Sequence, residues 1–418
     1  MRISSSALAP LRATVVAAQN ATVSSSIPQA TLEYCTVQAA AANLSAVETE
    51  VNDGTLATSN VACTTAEDCL FMDIYVPANA KGKELPVLAG AHKSHTAPEG
   101  LYDLSKDFIF VTYNYRDGIA GVANGPTSTH EGGATNAATR KYISVFGGDP
   151  DNILSRLVSS QTLDQIFRFG GNAEQLFARA YLNLPGKVPG SGHQQVEAFW
   201  QNISTTVGCN GCGLDCMRTV QSITQLSTPP SPMLYLYTHT HYNSNEAEFY
   251  AGHYNWTGPL VITHELHEKN SDVTSGINST ADVADKIRMY FLVITDTIIN
   301  EILALYPKSD YTSPGLRFSD IEQSFELTSH NLALTPGLYN QTWNAMATLG
   351  PATHSTDYRA DYAKCLLSFA LTGNPNTLWP NVKMEWPLYN TSTDGVEIVF
   401  NTSMYLQADS LVNVKPRF

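Results

Sequence analysis

Two runs of this chain leave little choice of fold. Glu84-Leu85-Pro86-Val87-Leu88-Ala89-Gly90-Ala91 and Phe108-Ile109-Phe110-Val111-Thr112-Tyr113-Asn114-Tyr115 are nearly continuous in apolar residues over the length of a strand. A strand with one wet face alternates, whereas a strand covered on both faces does not. The runs therefore predict a sheet buried between two helical layers. A third run, Leu70-Phe71-Met72-Asp73-Ile74-Tyr75-Val76, is stopped by Pro77. Helices are expected over Arg140–Val145 and over Asn172–Leu182, the latter with Leu176, Phe177 and Ala180 on one face. Two more are expected over Ala281–Leu305, ending at Tyr306-Pro307, and Tyr358–Leu371, closed by Gly373-Asn374-Pro375. Strands interleaved with helices place the chain in the α/β class with a mostly parallel central sheet.

The rest is less regular. Residues 19–66 are rich in Ala, Ser, Thr and Asn and are expected to form short strands and loops. Pro185, Gly186, Pro189, Gly190 and Gly192 mark a loop-rich middle. No internal repeat or low-complexity linker divides the chain, so residues 19–418 read as one unit, long enough to bury a large core. An apolar fraction of 43% excludes wholesale disorder. A net charge of −14, with no local run of Lys and Arg, gives no driving force for nucleic-acid binding. No apolar run reaches the length needed to span a membrane.

Three features point to secretion. Met1 to Ala18 has the outline of a signal peptide, with small residues Val16-Ala17-Ala18 before Gln19. N-x-[ST] sequons begin at Asn20, Asn43, Asn202, Asn255, Asn278, Asn340, Asn390 and Asn401. Seven cysteines fall into an early group (Cys35, Cys63, Cys69), a middle group (Cys209, Cys212, Cys216) and Cys365 alone. Three cysteines with no nearby histidine make a poor zinc site, so local disulfides suit the middle group better. The odd count leaves a free thiol, expected at a buried Cys365.

Several separated segments occur in a recognisable order. Phe146-Gly147-Gly148-Asp149-Pro150-Asp151-Asn152-Ile153 has the form F-G-G-D-P-x-N-[IV]. Around it stand Glu67-Asp68-Cys69-Leu70, Val111-Thr112-Tyr113-Asn114-Tyr115-Arg116, Cys209 with Leu214-Asp215-Cys216-Met217-Arg218, and Ser368-Phe369-Ala370-Leu371-Thr372-Gly373-Asn374-Pro375-Asn376 before Trp379-Pro380. This series resembles the type-B carboxylesterase/lipase family, the cholinesterase and fungal-lipase branch of the α/β-hydrolases, from about Cys35 to the C-terminus. The resemblance implies an α/β-hydrolase fold with several core segments shortened, and hydrolysis of carboxylic esters or lipids by a serine nucleophile without metal or organic cofactor. It also implies disulfides Cys35–Cys69, with Cys63 as the competing partner, and Cys209–Cys216.

The resemblance carries residue by residue to a triad and to its gaps. The family's acid, in an N-x-x-E-G segment at a strand end, matches Glu246 in Asn243-Ser244-Asn245-Glu246-Ala247. Its histidine, in H-G-x-[DE], matches His354 in His354-Ser355-Thr356-Asp357. Such a pair orients an imidazole to take the serine proton. The H-G-G-G oxyanion loop is reduced to His92-Lys93-Ser94-His95, and N-x-G-[LM]-x-D-Q to Asn136-Ala137-Ala138-Thr139-Arg140. No G-x-S-x-G occurs. The expected elbow reads Leu154-Ser155-Arg156-Leu157-Val158-Ser159-Ser160, leaving Ser155 as the candidate nucleophile beside residues larger than an elbow admits. Three readings follow: a family member that is inactive or severely impaired, a secreted non-catalytic binding protein on the same fold, or a coding sequence from which pieces are missing.

Overall fold

The computed structural model describes residues 13–17, 72–78, 80, 82–91, 98–113, 135–156, 159–167, 171–172, 174–183, 185–186, 200–202, 204–210, 216, 252–254, 256–265, 273, 276–291, 293–338, 342–347, 356–380, 384–389, 395–401 and 404–409. Its strands are β1 (Ala13–Ala17), β2 (Met72–Val76), β3 (Leu85–Ala91), β4 (Ile109–Tyr113), β5 (Gly148–Arg156), β6 (Arg179–Asn183), β7 (Leu260–Glu265), β8 (Thr342–Ala347), β9 (Val396–Phe400) and β10 (Tyr405–Ala408). They form one sheet in the order β1-β2-β4-β3-β5-β6-β7-β8-β9-β10. From β4 to β9 every neighbouring pair is parallel, while β2 runs antiparallel to β4 and β10 antiparallel to β9. β1 pairs with β2 from within the segment that reads as a leader. Cleavage after Ala18 would therefore leave β2 as the edge.

The helices used below are α1 (Thr135–Tyr142), α2 (Ser159–Phe167), α3 (Thr280–Tyr290), α4 (Asp296–Leu305), α5 (Pro314–Gln323), α6 (Ser329–Gly337) and α7 (Thr356–Thr372). Successive residues of a strand face opposite sides of its sheet. Val87, Ala89, Ile109, Ile153, Ala180 and Ile262 accordingly pack with Leu163 and Ile166 of α2 and Leu334 of α6. Their neighbours Leu88, Phe110, Leu154, Tyr181 and Val261 pack with Leu366, Leu367 and Phe369 of α7. A third cluster, including Val283, Ile287, Ile299, Ile302, Phe318 and Ile321, joins α3, α4 and α5.

Three expected helices change. Asn172–Leu182 is not a helix: β6 occupies Arg179–Asn183, after a stretch without regular structure. Leu176, Phe177 and Ala180 are buried as expected, but Tyr181 and Leu182 are too, and a run buried on both faces belongs to a parallel strand. Ala281–Leu305 is two helices. α3 ends before Phe291, and Thr295 starts α4 by accepting the Ile298 N–H on its side chain. Such a cap stabilises a new helix start by about 1 kcal/mol. The helix expected at Arg140–Val145 begins earlier, as α1, and tightens into a 3₁₀ turn over Ile143–Phe146.

Candidate active site

In an open parallel sheet the chemistry gathers beyond the carboxyl ends of the strands, where the loops converge. β5 ends at Arg156 and α2 starts at Ser159, so only Leu157 and Val158 separate strand from helix. This is the place for a strand-to-helix elbow. Ser155, the expected nucleophile, lies one residue inside the strand, paired with Ala89 of β3 and Ala180 of β6. Its side chain is fully buried, with Oγ 3.2 Å from Oγ1 of Thr162 in α2. The hydroxyl is thus sealed between strand and helix rather than presented at the sheet edge.

The groups at that edge are a network of a different kind. The Arg156 guanidinium lies over the Tyr181 ring, 5.9 Å from its centroid. The Tyr181 hydroxyl donates to that of Tyr362 on α7. Burial raises the Tyr362 phenol above its ordinary range, while the Arg156 charge and hydrogen bonds with Tyr181 and Thr263 pull it back. Ser159 Oγ donates to the Asn183 carbonyl at 2.5 Å, and Thr263 Oγ1 to Asn183 Oδ1 at 2.6 Å. These contacts tie the ends of β5, β6 and β7 to α2 and α7.

The other expected triad members fall outside the described residues. In chain order His354 lies between β8 and α7, and Glu246 in the β6–β7 connection, upstream of β7. His92, Cys35, Cys63 and Cys69 are likewise outside.

Comparison with known proteins brings these pieces together. No protein-family model matches the chain. It is 32% identical over 193 residues to a secreted lipase of Arthroderma benhamiae, a match covering 38% of each chain. It is 30% identical over 167 residues to a carboxylesterase, patB, of Aspergillus clavatus (32% of this chain, 30% of that one). Over 193 residues it is 28% identical to lipase 1 of Geotrichum candidum (37% and 34%). The chain thus matches about a third of the length of these relatives. The crystal structure of EstA from Aspergillus niger superposes with a TM-score of 0.70 at 19% identity, covering 85% of this chain and 84% of that one, a likeness of fold. Over the matched segments the chain is similar to fungal lipases and carboxylesterases. Its fold is that of an α/β-hydrolase.

The second disulfide is as expected. Cys209 and Cys216 are bonded, with Cα atoms 5.7 Å apart, and Cys365 is a buried free thiol. Asn202 and Asn278 are exposed, and Asn401 is half-buried. No helix among the described residues is long and apolar enough to cross a membrane.

Sequence reasoning missed one carboxylate–imidazole pair. His264, at the end of β7, sets Nε2 2.7 Å from Oε2 of Glu397 in β9, with both side chains buried. Its Nδ1 lies 3.2 Å from the Glu265 carbonyl. With both ring nitrogens engaged, this imidazole is not arranged to take a proton from a nucleophile. Asp409 completes a buried group of three that could hold a metal ion.

Proposed function

We propose that this chain keeps the fold of an ester-hydrolase family without an efficient hydrolytic centre, and that it is a secreted glycoprotein. The junction between β5 and α2 carries this reading. Where the family's chemistry needs a serine between small residues on a sharp turn, the chain reads Arg156-Leu157-Val158-Ser159. Ser155, just upstream, is buried against Thr162. A nucleophile must reach a carbonyl carbon and pass its proton to an imidazole, and a hydroxyl sealed between strand and helix does neither. Loss of a triad serine costs roughly a millionfold in turnover, and loss of one oxyanion donor about a hundred- to a thousandfold.

The remaining positions fit an inherited esterase plan for carboxylic esters or lipids. His354 follows β8 and precedes α7 in chain order. For the acid, Glu246 precedes β7, whereas Glu268 follows the end of that strand by three residues. The strand-end requirement of the family's acid favours Glu268. The leader-like segment, the sequons and the Cys209–Cys216 bond support secretion.

A fluorophosphonate probe, which labels activated serines, tests the proposal on the purified full chain. The expected result is no labelling, with p-nitrophenyl ester turnover at background. Labelling that disappears in Ser155→Ala or Ser159→Ala overturns it.

A further inference from the structure

The polar group at the far side of the sheet is built like a metal site. His264, Glu397 and Asp409 each bring one ligand atom into a space where all three atoms lie within 4.8 Å of one another. The residues are 3%, 0% and 1% exposed. His264 and Glu397 are 133 positions apart and meet only because β8 lies between β7 and β9. Two carboxylates in a protein interior are costly to desolvate and repel each other. A divalent cation attracts both carboxylates and can be held by the imidazole in its neutral form.

The surroundings orient these groups as ligands. The Glu265 carbonyl only accepts, so its contact with Nδ1 places the ring proton there and turns the Nε2 lone pair toward the carboxylates. Gln407 Nε2 donates to Glu397 Oε1 at 2.7 Å and fixes that carboxylate. A carbonyl behind the imidazole and an amide behind the carboxylate are the partners that position metal ligands. A separate observation lies beside them. Asn344 pairs with Glu397 across β8 and β9, which puts both side chains on one face of the sheet. Asn344 is 3% exposed and its Nδ2 is held by Thr335 Oγ1 at 3.1 Å, yet its Oδ1 has no hydrogen-bond partner. A buried acceptor left unpaired is destabilising, so this oxygen calls for a positive group or a donor.

We propose that His264, Glu397 and Asp409 form a structural site for a divalent transition-metal cation, with Asn344 Oδ1 as the adjacent oxygen. One nitrogen and two or three oxygens suit Zn²⁺ or Mn²⁺; Ca²⁺ and Mg²⁺ prefer oxygen alone. Zinc bonds of about 2.0–2.2 Å place tetrahedral ligands about 3.4 Å apart, so the cation takes the place of the His264–Glu397 hydrogen bond with a shift of less than an ångström. Bound there, it clamps β7, β9 and the segment after β10 together.

The test is titration of the chelator-treated full chain with Zn²⁺ alone, by calorimetry and by thermal unfolding. One equivalent is expected to bind, with a Tm that climbs as Zn²⁺ is raised. Gln407→Ala is expected to weaken binding about tenfold through loss of the orienting amide, and Asp409→Asn more strongly. Because His264 and Glu397 variants could unfold, wild-type protein loaded with Co²⁺ supplies a second readout, a visible spectrum of nitrogen and oxygen ligation. Absence of saturable Zn²⁺ binding by folded wild type overturns the proposal. So does binding that Asp409→Asn and Gln407→Ala both leave unchanged, or a Co²⁺ spectrum dominated by sulfur.

Discussion

The two ends of β5 obey different rules. At its start, Gly147 holds a left-handed φ of 85° and donates its N–H to Ser144, closing the preceding turn. A Cβ on Gly148 would come within 2.6 Å of Ile143 Cγ1 and 3.0 Å of Val87 Cγ2. Asp149 Oδ1 accepts from the Asp151 N–H at 2.9 Å, and Arg140 reaches Asp151, Glu174 and the Gln175 carbonyl. Every residue type here answers a demand of backbone or packing. At the other end, small residues and an accessible serine would answer a demand of chemistry. Arg156 stacked on Tyr181 and Ser155 bonded to Thr162 answer packing instead. Architecture and reaction are written separately on one strand, and only the first is legible at both ends.

Substitution can break that contrast. Gly148→Val forces a side chain into occupied space and is expected to destabilise by about 1–3 kcal/mol, read as a lower denaturant midpoint. Ser155→Ala removes one buried hydrogen bond and is expected to cost about 1 kcal/mol in the same assay, with unchanged circular dichroism. Arg156→Ala gives up a cation–π contact of about 0.5–1 kcal/mol. It should also raise the Tyr362 phenol further, since the Arg156 charge now offsets burial; ultraviolet difference titration reads this. If Ser155→Ala costs more than Gly148→Val, the contrast between the two ends fails.

The parts readable from sequence were those where one local rule decides. β3 and β4 announce themselves as unbroken apolar runs, and α7 stops at Gly373, which takes the left-handed φ that its position suggests. β6 is masked in the sequence because Leu176, Phe177 and Ala180 also fit a helical face. β8 gave no signal because its buried positions include Thr342 and Asn344, polar residues that tertiary contacts accommodate. The Cys209–Cys216 bond followed from the family resemblance of its segment, whereas His264 and Glu397 share nothing in the linear order. The place of a serine elbow could be named, and the burial of Ser155 could not, because that depends on Thr162 of the following helix.

Cys365 turns the layer above the sheet into its own clock. Its thiol lies in α7 within the cluster that includes Leu154 and Phe369. Burial pushes its pKa up to about 12, with Asp361 adding to the rise and Lys364 opposing it. Near neutral pH it therefore stays protonated, out of reach of alkylating reagents until α7 lifts from the strands. Its modification rate in the native protein measures how often that opening occurs. Alkali reads the same contact from the other side. The unfolded thiol ionises near 9 and the folded one only near 12, so stability is full below 9 and drains away as pH rises through that interval. One sulfur atom thus reports both how often the helix leaves the sheet and how strongly the sheet holds it.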